Sequence, residues 1–319
     1  MIFVNMQMWR SKPVSVLPGE NHLLLTRKRL TFNALQEKSM KRLLLFAAEK
    51  RGLLSISPLF FAFFLCLALL PGTDLQAQKK SAANAGREYM VLKIYHAATA
   101  DQLSTIDQYL QASLLPTLEK NGFRKIGVFH AISNDTAADK KTFVLIPFNG
   151  ISKLEQLSLL TEKTVQDTVT ANAYTKAAHN RPSFTRMETI LLHSFTGMPQ
   201  VKAPALKGAR EERVYELRSY EAATEALYLN KVKMFNEGEV QLFDRLGFNA
   251  VFYGEVLTGC RMPNLMYMTS FENKASRDEH WKSFGSDPEW KKMSALPEYQ
   301  NNVSKIDITF LRPTAYSKL

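Results

Sequence analysis

Glu216, Arg218 and Tyr220 have the types and the spacing to hold a small anion. They fall two apart within the run 214–220 (VYELRSY), so in an extended strand their side chains share one face. A guanidinium offers a planar fork of donors to a carboxylate and keeps its charge at any ordinary pH. Tyr220 would add a second donor, and Glu216 would hold the arginine while the site is empty. Lys93 and Tyr95 repeat the cation and the phenol earlier in the chain. The bland reading of these residues is a structural ion pair or a solvated sheet edge. The functional reading is a polar cavity for an anionic small molecule, walled by Glu216, Arg218, Tyr220, Lys93 and Tyr95.

Other reactive side chains carry less. His96, His130 and His193 fall near strand ends, and His280 adjoins Trp281 on an amphipathic helix; each reads as a surface or structural histidine. The chain has two cysteines. Cys66 lies in an apolar leader, so Cys260 is the one thiol of the remaining chain and is expected to be a small buried hydrophobe. With no clustered Cys or His, a metal site of the usual spacing is not expected. A Gly-rich phosphate loop, a nucleophile elbow, HExxH and an EF-hand loop are all absent from the sequence.

Charge argues against nucleic acid as a partner. The net +11 is concentrated at the start: residues 1–51 hold ten basic against three acidic side chains, whereas residues 78–319 hold 31 against 26. An excess spread that thinly is a solvated surface rather than a phosphate-binding stripe. Lys41, Arg42, Lys50 and Arg51 precede the uncharged run Leu59–Leu70, then Pro71-Gly72 and the small residue Ala77. That order predicts a signal peptide over 40–77, cleaved near Ala77, and a periplasmic or secreted protein with no membrane span after cleavage. Residues 1–39 lack periodicity and read as an upstream extension, and 78–87 as a linker.

The elements that must position the candidate site come twice. Tyr95–Thr99 (YHAAT) matches Tyr220–Thr224 (YEAAT) at an offset of 125, which also carries Gly122-Phe123 onto Gly247-Phe248; later matches drift to 123 and 119. Each copy reads strand, helix, strand, strand, helix, strand, with strands over 90–95 and 214–220 and helices over 101–118 and 226–246. The fold class is therefore α+β: two tandem ferredoxin-like βαββαβ units, 88–195 and 211–319, joined by a linker at 196–210. A one-faced sheet must bury its open side, and two such sheets facing each other give a dimeric α/β-barrel-type arrangement. Met90, Leu92 and Ile94, matched by Tyr215 and Leu217, are then expected to meet the helices. The face bearing Lys93, Tyr95, Glu216, Arg218 and Tyr220 is expected to point between the sheets.

The second copy carries a resemblance. YELRSY at 215–220, LGF at 246–248, SFEN at 270–273, and DEHW and DPEW ending at Trp281 and Trp290 resemble the NIPSNAP family over 212–319. The first copy departs from these motifs, with Lys93 in place of the strand arginine and no tryptophan at either helical position. The resemblance implies a ferredoxin-like fold, distantly similar to small oxygenases and haem proteins, and places any pocket in the second copy. Two functions follow from it: a binding or assembly module for a small anionic ligand, without cofactor and open to homo-oligomers, or an oxygenase, cofactor-free or haem-dependent, in the inter-sheet cavity. Asp287-Pro288-Glu289 needs no catalytic role, because Asp caps a helix and Pro suits its first turn.

Overall fold

The structure is a computed structural model that describes residues 86–167 and 173–319. The expected extension 1–39, the signal segment 40–77, Cys66 and most of the 78–87 linker lie outside the described residues. The first unit runs β1 (Glu88–Ala97), α1 (Ala100–Tyr109), α2 (Leu115–Lys120), β2 (Gly127–Ala131), β3 (Lys140–Asn149), α3 (Lys153–Gln166) and β4 (Arg186–Ser194). The second runs β5 (Val214–Glu221), α4 (Glu225–Met234), α5 (Val240–Arg245), β6 (Asn249–Thr258), β7 (Asn264–Phe271), α6 (Lys274–Ser286), α7 (Pro288–Ser294) and β8 (Lys305–Pro313).

The duplication holds residue for residue through the first helical layer. Thr99 and Thr224, 125 apart, cap α1 and α4 by accepting from Gln102 N and Leu227 N, each at 3.2 Å. Each of the two expected long helices is broken in the middle by a π-turn, Leu110–Leu114 in one and Phe235–Glu239 in the other. A π-turn inserts one residue and rotates everything after it. Both helices stop at glycines in the left-handed region, Gly122 (φ 87°) and Gly247 (φ 76°), which tolerate it because they lack a Cβ.

The strands form a closed barrel in the order β1-β3-β2-β8-β5-β7-β6-β4. Each unit supplies four neighbouring strands, and two antiparallel seams join them: β2 with β8 (His130 opposite Arg312) and β4 with β6 (His193 opposite Glu255). The barrel thus closes within one chain. Its inside is packed by Met90, Leu92, Ile94, Tyr215, Leu217 and Met268. Outside it, Val91 and Tyr95 meet Ile106, Leu110 and Leu114 under the first unit's helices, and Tyr220, Tyr253 and Tyr267 meet Phe235 and Phe243 under the second's.

This reverses the expected facing of the strands. Glu216, Arg218, Tyr220, Lys93 and Tyr95 lie on the helix side, and the face expected to meet the helices fills the barrel. The reason is steric and electrostatic. An eight-stranded barrel is just wide enough for its side chains to fill, and charged groups inside it would find neither water nor helical donors. Alternation shows which residues share a face, not which face is inside. Among the described residues, no helix is long and apolar enough to cross a membrane.

Candidate functional site

The expected second-unit residues form a closed network beneath α6. Glu216 is fully buried and accepts from Arg218 Nε (2.6 Å), Arg277 Nε (2.6 Å) and Nη2 (2.8 Å), and Trp281 Nε1 (2.9 Å). Burial alone would raise its carboxyl; the bonds from Arg277 and Arg218 outweigh that and hold it below the ordinary carboxylate value. Arg218 also donates from Nη1 to the Tyr220 hydroxyl (3.0 Å), which is 2.8 Å from that of Tyr267. The Arg218 guanidinium lies over the Trp281 ring, its carbon 3.7 Å from the ring centroid. The cluster thus clasps helix to strand.

Lys93 and Tyr95 are not brought to that cluster. They face the first unit's helices, where Val91 stands at the position matched by Glu216. Lys93 is 9% exposed with no hydrogen-bond or ion-pair partner among the described residues, and burial lowers its amine from the usual lysine value. Tyr95 packs edge-on against Tyr174 and Phe184. The five residues therefore do not share one cavity.

A different set converges where the barrel opens, at the ends of β1 and β5 and the starts of β3, β4, β7 and β8. A cavity of about 100 Å³ lies there. Its lining comes in matched pairs across the two units: Ile94 with Ser219, Phe143 with Met266, and Ile190 with Thr309. The first-unit half is thus apolar, and the second-unit half carries hydroxyls. Lys141 and Glu188 on one side answer Asn264 and Asp307 on the other.

The rim is organised around His96, which is buried. Its Nδ1 lies 2.9 Å from Asp139 and its Nε2 3.1 Å from Glu188, which also accepts from Arg186 (2.6 Å). Slight burial pushes Asp139 up, but the bond from His96 and the Lys141 charge more than offset it and leave the carboxyl low. Across the mouth, Arg261 pairs with Asp307 from a left-handed backbone position (φ 65°). Cys260, expected to be buried, is exposed: it falls in the β6–β7 turn rather than within a strand. Its Sγ donates to Glu188 at 3.5 Å, and burial followed by the Glu188 charge pushes the thiol up, so it stays protonated. Among the described residues no group of three or more His, Cys, Asp or Glu side chains could hold a metal.

The mouth was missed in the sequence because its residues come from six strands and a turn, and no two adjoin except Cys260-Arg261. One signal was available: the offsets 125, 123 and 119 already pair its lining residues.

Residues 215–318 match the NIPSNAP family. No curated protein matches the chain. Among solved structures, a candidate monooxygenase from Lactobacillus acidophilus NCFM is 13% identical, covering 71% of this chain and 94% of its own, with a TM-score of 0.47. A NIPSNAP family protein from Agrobacterium tumefaciens strain C58 is 17% identical, covering 36% and 98% respectively, with a TM-score of 0.31. A NIPSNAP-like domain protein from Burkholderia xenovorans is 14% identical, covering 34% and 90%, also at 0.31.

Proposed function

We propose that this chain, NIPSNAP-like in its second unit, is an exported binding module that takes a small amphipathic anion at the mouth of its barrel. The observation that carries the reading is the mouth's two-sided lining beneath a charged rim. A short apolar body lies against Ile94, Phe143 and Ile190, a polar edge meets Ser219 and Thr309, and a carboxylate reaches Arg186 and Arg261. The anchoring cation assigned in the sequence to Arg218 passes to these rim arginines, because Arg218 lies beneath α6 and not at the mouth; each rim arginine also holds a carboxylate, Arg186 that of Glu188 and Arg261 that of Asp307. At about 100 Å³, below the roughly 300–1,000 Å³ of ordinary ligand pockets, the cavity suits a body of a few heavy atoms.

An oxygenase in the same cavity has less support. The His96 ring is held in the rim between the carboxylates of Asp139 and Glu188. The Cys260 thiol is protonated, and a porphyrin does not fit the space.

The test uses protein labelled with ¹³C at its methionine methyls. Butanoate and pentanoate are expected to shift the Met266 methyl saturably, with the corresponding neutral amides weaker. Leu217→Phe, which fills the floor, is expected to abolish the shift. If neither acid moves Met266 in the folded protein, the reading fails. Export rests on the basic, apolar and small-residue order before Ala77: the mature chain is expected to begin at or near Gln78 by mass spectrometry. A chain retaining Leu59–Leu70 would replace export with anchoring.

A further inference from the structure

A second cavity, of about 290 Å³, lies away from the barrel mouth, between α5 and the segment that connects the two units. Its connecting wall is pinned at both ends to β6. Phe195 N donates to Tyr253 O (2.9 Å) and Lys202 N to Val251 O (3.0 Å). Between them, Gly197 N donates to Asn236 Oδ1 (2.8 Å), so the wall is formed before anything binds.

Two side chains of opposite charge line this cavity, both exposed to solvent and neither paired with a described residue. Lys202 lines it from the connecting segment and Asp244 from α5. Neither side chain makes an ion pair or hydrogen bond with any described residue, and the two do not pair with each other. The apolar lining between them is Met198, Val240 and Phe248. Tyr253 completes the floor: it is 1% exposed, and its hydroxyl has no hydrogen-bond partner. Burial, then the Glu239 and Asp244 charges, push that phenol well above its ordinary value, so it remains a donor. Buried polar groups left unpaired are rare and call for an explanation.

The geometry points to a site for a free α-amino acid with an apolar side chain. The ammonium group meets Asp244 and the carboxylate meets Lys202, both as charge-assisted contacts. The side chain covers Met198, Val240 and Phe248, and the Tyr253 hydroxyl turns to an acceptor brought by the ligand. A zwitterion meets both charges at once, whereas a ligand with a single charge meets one and leaves the other to water.

Isothermal titration of the protein near neutral pH with three probes tests this. L-Phenylalanine is expected to bind one to one. L-Phenylalaninamide, which lacks the carboxylate, and N-acetyl-L-phenylalanine, which lacks the ammonium, are each expected to bind at least tenfold more weakly. Asp244→Asn and Lys202→Gln are expected to weaken L-phenylalanine by a similar factor without moving the melting temperature, because neither side chain has a partner to lose. Leu217→Phe, which fills the barrel mouth, is expected to leave this binding unchanged, so the two sites fail or stand separately. Equal binding of all three probes, no binding of L-phenylalanine, or full binding by both charge variants overturns the proposal.

Discussion

Glu216 sets the stability of the second unit through protons as well as contacts. Its carboxyl is held below the unfolded value of about 4.3, so its contribution is complete above that pH and is lost as pH falls through the lower folded value. The gap in melting temperature between the unaltered protein and Glu216→Gln is therefore expected to narrow from about pH 5 to about pH 3; a constant gap would mean that the carboxylate is not the group responsible. Trp281 covers Arg218 and donates to Glu216, and its ring packs edge-on at 5.1 Å from Phe248. Because it is only half-buried, Trp281→Ala is expected to cost about 3 kcal/mol, the low end for such truncations, read by urea denaturation. An unchanged midpoint would show that the α6 face does not pack as described. The Glu216–Arg218 pairing was legible two residues apart on one strand. Arg277 and Trp281 were not, because a strand pattern carries no information about which later helix supplies the remaining donors.

The two π-turns show how one element solved the same packing problem twice. In the second unit, buried Lys231 bonds buried Glu239 at 2.7 Å. At the matched positions the first unit has Ile106 and Leu114, both fully buried. Breaking the ion pair by Lys231→Ile or Glu239→Leu alone is expected to cost about 3–5 kcal/mol, because one buried charge is left unpaired. The double change adopts the first unit's own solution and is expected to be neutral or stabilising by roughly 1–4 kcal/mol. Chemical denaturation of the three variants decides it; a double variant weaker than either single would mean that the two helices are not interchangeable at this turn. The helices themselves were legible from apolar spacing and from Thr99 and Thr224. Their π-turns were not, since one inserted residue hides within the tolerance of a 3.6-residue period.

At the scale of the molecule, neither unit completes a sheet alone. Each leaves two edge strands and one apolar face without cover, and the β2–β8 and β4–β6 seams supply what is missing. Residues 211–319 expressed by themselves are therefore expected to form a twofold dimer, with β6 of one copy on β8 of the next. Light scattering coupled to size exclusion measures this, and a folded monomer would contradict the account of the seams. The tandem ferredoxin-like plan was legible because the repeat recurs at a nearly constant offset. The sidedness of the sheets was not, since both faces of β1 and β5 are buried and hydropathy cannot rank two insides.

The paired lining of the mouth, Ile94 against Ser219 and Ile190 against Thr309, has a consequence for the orientation of a guest. In a barrel built from two identical chains, an axial cavity would offer every guest two equivalent poses, related by half a turn. Fusing the halves into one chain removes that degeneracy, and each wall can then change without its counterpart. A guest held here meets two different walls, so its two half-turn poses are expected to differ in strength and one to dominate, even though the surrounding scaffold is close to symmetric.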